Sequence, residues 1–184
     1  MNVKQAEPKH IILCHNQMYL HKIIKFNYTM YDMQQDQDVL NPGTSHCNFM
    51  ALVQLELDGA SDEHPFLYGH VLNVFHMNVI YNSPRMTDYN PQYFDVLWVC
   101  WYNLENLSLH KSKTTKPKLS HCLDQLVFPP LDREDSLGFL DPADVLRGCH
   151  IIPAFTTGRC FLDSEGLSKW AREDRDWNAY YVAR

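Results

Sequence analysis

The segment Tyr93–Tyr102 limits the possible folds more than any other part of the chain. Successive residues of a strand point to opposite faces. Val96, Trp98, Cys100 and Tyr102 therefore share one face, and Leu97, Val99 and Trp101 share the other. A strand that is apolar on both faces has to be covered on both, as in a closed barrel with a flanking layer. A second β-rich run, Phe66–Tyr81, precedes it, with breakers at Asn82-Ser83-Pro84 and Tyr89-Asn90-Pro91 between them. The two runs are expected to pair.

Other elements are shorter. Ile24, Phe26, Tyr28 and Met30 alternate with polar residues, which indicates a strand with one wet face. Residues 31–38 are polar and read as loop, and Asn41-Pro42-Gly43 as a turn in which Gly43 can take a positive φ. Further strands are expected over Phe49–Leu57, Leu123–Phe128, Cys149–Phe155 and Trp177–Val182. Asp141 suits an N-cap, Pro142 a first helical position and Gly148 a left-handed cap, so one helical turn is expected there. Ser164–Arg175 reads as a helix. Residues 1–21 carry little pattern and read as an N-terminal extension. Residues 22–184 then form a single β-rich domain, a small β-barrel with short helical decorations.

Composition excludes several classes. A chain of 184 residues that is 45% hydrophobic is not disordered. No apolar run approaches the roughly 18 residues of a membrane span, and the first residues lack the basic flank and apolar stretch of a secretory signal. Six cysteines occur without a C-x-x-C pair, so reduced thiols in an intracellular protein are expected. Cys and His adjoin at Cys14-His15, His46-Cys47, His121-Cys122 and Cys149-His150. Neighbours on a strand face apart, so these pairs read as buried thiols and surface imidazoles rather than a metal site. No nucleophile elbow, phosphate-binding loop or metalloprotease motif occurs. No catalytic residue, cofactor or metal is expected.

Charge and aromatics carry the remaining signal. The net charge of -6 disfavours nucleic acid, with one basic island at Lys111, Lys113, Lys116 and Lys118. A nucleic-acid-binding arm there is the alternative reading. Phe66, Tyr68, Trp98, Trp101 and Tyr102 cluster on the two long strands. Rings meeting at right angles can enclose a quaternary ammonium, although aromatics on central strands usually form core.

Four segments, in order, resemble the bromo-adjacent homology (BAH) domain, a β-rich chromatin interaction module. His64–Leu72 resembles its strand opening on a proline and an aromatic, and Leu97–Tyr102 its Trp-Phe-Tyr strand. Leu123–Phe128 resembles its Asn-Glu-Leu-Phe segment, and Asp144–Ile151 its Gly-Lys-Cys segment. A closer resemblance spans Phe26 to Val182, through Asn27-Tyr28-Thr29, Asp36-Gln37-Asp38, Asn41-Pro42, Gly138–Pro142 and Ile151–Phe155. It is to proteins of mushroom-forming fungi encoded with or fused to Plavaka/KDZ-type transposases. That group usually has Arg at the positions of His70 and Cys100 and continues past Tyr180-Tyr181-Val182, so a shortened, drifted copy is expected. The transposase catalytic region has no counterpart here. The resemblance implies a nuclear, non-catalytic module that binds a protein or basic peptide such as a histone tail. Its methyl-lysine pocket maps onto Phe66 or Tyr68, Trp101 and Tyr102, with Asn103 where another aromatic is common.

Overall fold

The computed structural model describes residues 10–29, 35–52, 64–82, 89–105, 123–130, 132–159 and 177–183. The fold is mainly β, and no helix among the described residues reaches seven residues. The strands are β1 Ile11–His21, β2 Ile24–Thr29, β3 Gln35–Leu40, β4 Asn48–Leu52, β5 Phe66–Tyr81 and β6 Gln92–Trp101. They continue with β7 Asn103–Leu104, β8 Gln125–Val127, β9 Leu137–Leu140, β10 Val145–Gly148, β11 His150–Pro153 and β12 Tyr180–Ala183.

The two long runs pair as β5 and β6, antiparallel, from Gly69 opposite Trp101 to Val79 opposite Gln92. They form the centre of a six-stranded sheet in the order β10-β4-β5-β6-β9. One edge of β5 is shared: β4 pairs with Phe66–His70, and β1 pairs with Val74–Tyr81. A four-stranded sheet, β11-β12-β8-β7, and the ribbon β2-β3 complete the architecture.

Among the described residues the expected closed barrel does not form, and the sheets stay open. At the Trp101–Tyr102 end the two faces of the main sheet are nevertheless covered by different layers. On one face Leu97 and Val99 pack with Val71, Phe49 and Leu40, and the ribbon adds Ile24 and Phe26. On the other, Tyr68 and Tyr102 meet Leu126, Val182 and Cys149 of the second sheet and its approach. Burial of these side chains is the main stabilising term, at about 1.5–3 kcal/mol for each large one.

Several local expectations change. The stretch 11–21, patternless in sequence, is a full strand of the main sheet. Its register shifts between Leu13 and Met18, where His15 and Asn16 take positive φ values of 56° and 51°. Gln35–Asp38, read as loop, belongs to β3 because it pairs with Tyr28–Asn27–Phe26 and Thr29 of the ribbon. Pro142–Asp144 is a single 3-10 turn whose N-cap Asp141 accepts from Ala143 N, but Gly148 lies in β10 rather than at a helix cap. The Asn41 turn does not use a positive φ at Gly43. Asn41 Oδ1 instead accepts from Gly43 N at 2.9 Å, and its carbonyl accepts from Thr44 N at 3.0 Å. The expected helix at Ser164–Arg175 lies outside the described residues.

Among the described residues, the chain passes from the main sheet into the second one twice, at Tyr102 and at Cys149. Asn48 holds both passages. Its carbonyl accepts from Cys149 N at 3.0 Å, and its side-chain oxygen accepts from the Tyr102 hydroxyl at 2.9 Å. The same oxygen accepts from His70 Nδ1 at 3.0 Å, and Cys47 Sγ lies 3.4 Å from that nitrogen. Asn48, His70 and Tyr102 are all buried, so these bonds replace water at groups that would otherwise be costly to desolvate. His70 and Cys100, the two departures from the resembled group, stand directly opposite each other across β5 and β6.

Candidate functional site

Of the aromatic residues expected at a peptide pocket, Phe66, Tyr68 and Tyr102 share one cluster and Trp101 stands apart from them. Tyr68 and Tyr102 are core, 1% and 7% exposed. The Tyr68 hydroxyl donates to Asp124 at 2.6 Å, and His64 Nε2 lies 3.1 Å from the same carboxylate oxygen. Trp101 points to the opposite face, where its ring meets Phe49 edge to face at 5.7 Å. Phe66 packs against the Tyr68 cluster and is half-buried. Strand alternation is the physical reason: Trp101 and Tyr102 are neighbours and cannot converge. Lys111, Lys113, Lys116 and Lys118 lie outside the described residues.

A different region is concave. An open groove of about 550 Å³ is lined by Asp38, Leu40, His46, Arg147, Cys149 and His150, among others. It lies where β3, β10 and β11 meet, and each of these ends its own sheet or ribbon. The Asp38 carboxylate accepts from Gly148 N at 2.8 Å, taking the place a neighbouring strand's carbonyl would have on β10. His46 and His150 are exposed, with rings edge to face at 5.3 Å. The turn behind them is internally satisfied: Thr44 Oγ1 donates to Asn41 O and accepts from His46 N. The groove therefore has a preformed wall.

The Cys-His neighbours explain this arrangement. At His46-Cys47 and Cys149-His150 the imidazoles are exposed at the groove while both cysteines are buried. Burial pushes Cys47, Cys100 and Cys149 up to about 12, so none of them is a ready nucleophile. Burial also lowers His70 to about 4, keeping it neutral. Among the described residues, no group of three or more His, Cys, Asp and Glu side chains converges in the way a metal would require. No helix among them is long and apolar enough to cross a membrane.

Sequence reasoning singles out His46 and His150 only as members of adjacent pairs. Asp38 and Arg147 stand out only within the resemblance motifs, and nothing in those joins them, because the groove is assembled from segments about a hundred residues apart. Comparison with protein-family models, curated proteins and solved structures gives no match.

Proposed function

We propose that this chain is a non-catalytic interaction module that receives an extended peptide in the groove between β3, β10 and β11. The observation that carries this reading is the convergence of three terminal strands on one open, partly polar groove. Sheet edges recognise extended chains through main-chain hydrogen bonds, with side-chain pockets adding selectivity. The groove itself is mixed in charge, with both Asp38 and Arg147 among its lining. Preference for a basic segment then comes from the field of the whole chain, whose net charge is -6. The four ordered BAH-like motifs support a BAH-like fold, a chromatin setting in the nucleus and a histone-like tail as partner.

The test is a fluorescence-anisotropy titration with labelled histone-tail peptides of graded methylation and an acidic control peptide. The expected result is preferential binding of basic peptides, weakened at least tenfold by the double variant His46→Ala/His150→Ala. Equal or absent binding across all peptides overturns the histone reading. Binding that ignores both histidines removes the groove from it.

A further inference from the structure

β1 is an open edge of the main sheet. Among the described residues its only strand partner is β5, on one side, so its other side presents main-chain donors and acceptors to solvent. The strand contains no Asp, Glu, Lys, Arg or Pro, the residues that usually keep sheet edges apart. Its register shift lies before Met18, and residues 18–21 then pair one for one with residues 77–74 of β5. Side chains of this regular part are exposed on both faces, Met18 at 44%, Tyr19 at 43% and Leu20 at 64%. On the Tyr19 face a ladder of rings crosses the sheet. Tyr93 of β6 stacks on His76 of β5 at 4.9 Å, and His76 stacks on Tyr19 of β1 at 4.6 Å with planes 12° apart. Neighbouring strands lie about 4.7–4.9 Å apart, so these rings stand face to face along the hydrogen-bonding direction. Tyr19 ends the ladder, and its second face looks out over the open edge.

We infer that a second copy of this chain adds along this edge, β1 against β1 and antiparallel, with the two-fold axis at Tyr19. Two identical strands paired in this way are isologous, so each contact away from the axis occurs twice. With the axis at Tyr19 the two tyrosine rings face each other and join both ladders into one stack. On the opposite face Met18 of each copy meets Leu20 of the other, so the exposed apolar side chains there cover one another. An axis at Met18 sets Tyr19 against Gln17, and one at Leu20 sets Met18 against Lys22, so neither satisfies both faces. Charge favours a copy at this place in particular. The chain carries a net charge of -6, which holds copies apart over most of their surface, but this strand contributes no acidic side chain to that repulsion. Like charges directly opposite destabilise an antiparallel pair, and Tyr19, Met18 and Leu20 bring none together. An interface built on one strand edge falls at the small end of specific interfaces, below about 1,200 Å², so the dimer is a concentration-dependent equilibrium.

The experiment is sedimentation velocity of the full chain from low micromolar to near-millimolar concentration, with amide exchange followed at both ends of that range. The expected result is a reversible monomer–dimer equilibrium without larger species, and slower exchange in residues 17–21 of the concentrated sample alone. Tyr19→Lys and Tyr19→Glu each place like charges opposite one another at the axis, and each is expected to weaken the dimer about tenfold. Mixed in equal amounts, the two variants are expected to bind each other about tenfold more tightly than either binds itself, because opposite charges then meet. Leu20→Lys is the further variant, on a side chain already exposed to solvent. Should loss of the Tyr19 stack unfold the chain, Leu20→Lys, which is also expected to weaken the dimer, and the exchange pattern of the wild type decide. A monomer at every concentration, a dimer indifferent to these variants, or assembly past the dimer overturns the proposal. Protection confined to residues 145–153 overturns it as well, since the contact then lies at the groove, and a mixture no tighter than its components removes the axis from Tyr19.

Discussion

The hydroxyl of Tyr102 donates to the side-chain oxygen of Asn48 at 2.9 Å, joining the residue where the chain leaves the main sheet to β4, on the far side of β5. Asn48 also receives His70 Nδ1 and the Cys149 amide, so one amide side chain and its own carbonyl fix both passages from the main sheet into the second. Removing Asn48 leaves two buried donors without an acceptor. Asn48→Ala is expected to cost about 2–4 kcal/mol and Tyr102→Phe about 1–2 kcal/mol in urea unfolding. The double variant is expected to cost less than the two together, because it removes donor and acceptor at once. Strict additivity would show that the bond contributes nothing.

Gly69 sits against the ring of Phe49. A methyl group there would lie 2.5 Å from Phe49 Cε1 and closer still to Cζ, and Phe49 is fully buried. Gly69→Ala is expected to destabilise by about 2–3 kcal/mol, as overpacking does. Phe49→Leu in the same chain is expected to restore part of that loss. Thermal unfolding of the single and double variants measures both.

Acid stability should depend on His70. Its folded value of about 4 lies below the ordinary 6.5, because burial disfavours the charged ring. The unfolded chain therefore binds the extra proton first. Stability from this group is fully present above pH 6.5 and falls as the pH drops through the window down to about 4, by about 3 kcal/mol in all. His70→Gln is expected to flatten the stability profile across that window. An unchanged slope in the variant would assign the acid loss to other groups.

The three thiols at about 12 should resist alkylation. At pH 8 only about one molecule in ten thousand carries a given thiolate at that value, and each sulfur is also buried. Brief iodoacetamide treatment followed by peptide mass analysis is expected to leave Cys47, Cys100 and Cys149 unlabelled in the native protein and labelled in denaturant. Native labelling of Cys149 would mean that the groove opens to the interior.

The central pair β5-β6 is legible in sequence because its long apolar runs can only be satisfied by cover on both faces. The nature of that cover is not, since a closed barrel and two open layers bury the same residues. β1 is hidden by its own irregularity: the inserted His15-Asn16 segment breaks the period that would reveal a strand. β3 is hidden because its Asp36 and Gln37 are exposed and its Asp38 is held by Gly148 N, so the apolar pattern that marks a strand is missing although its end, Leu40, is buried. The alternation that sends Cys47 inward and His46 outward also separates Trp101 from Tyr102, so the failure of those rings to converge is readable from their adjacency. The groove is not readable, because Asp38 and Arg147 meet only through the fold.

The pairing of β1 has a consequence for how the chain emerges from the ribosome. Ile11 pairs with Tyr81 and His21 with Val74, so this strand waits 53 to 70 residues for its partner. At bacterial or eukaryotic elongation rates of about 5–20 residues per second, that delay is roughly 3–14 s. Throughout it, an eleven-residue segment without a single Asp, Glu, Lys or Arg has no partner strand and no charge to keep neighbouring nascent chains apart. Dense polysomes would give such segments time to find one another, which makes slow translation between residues 22 and 74 a hazard for yield rather than a help to folding.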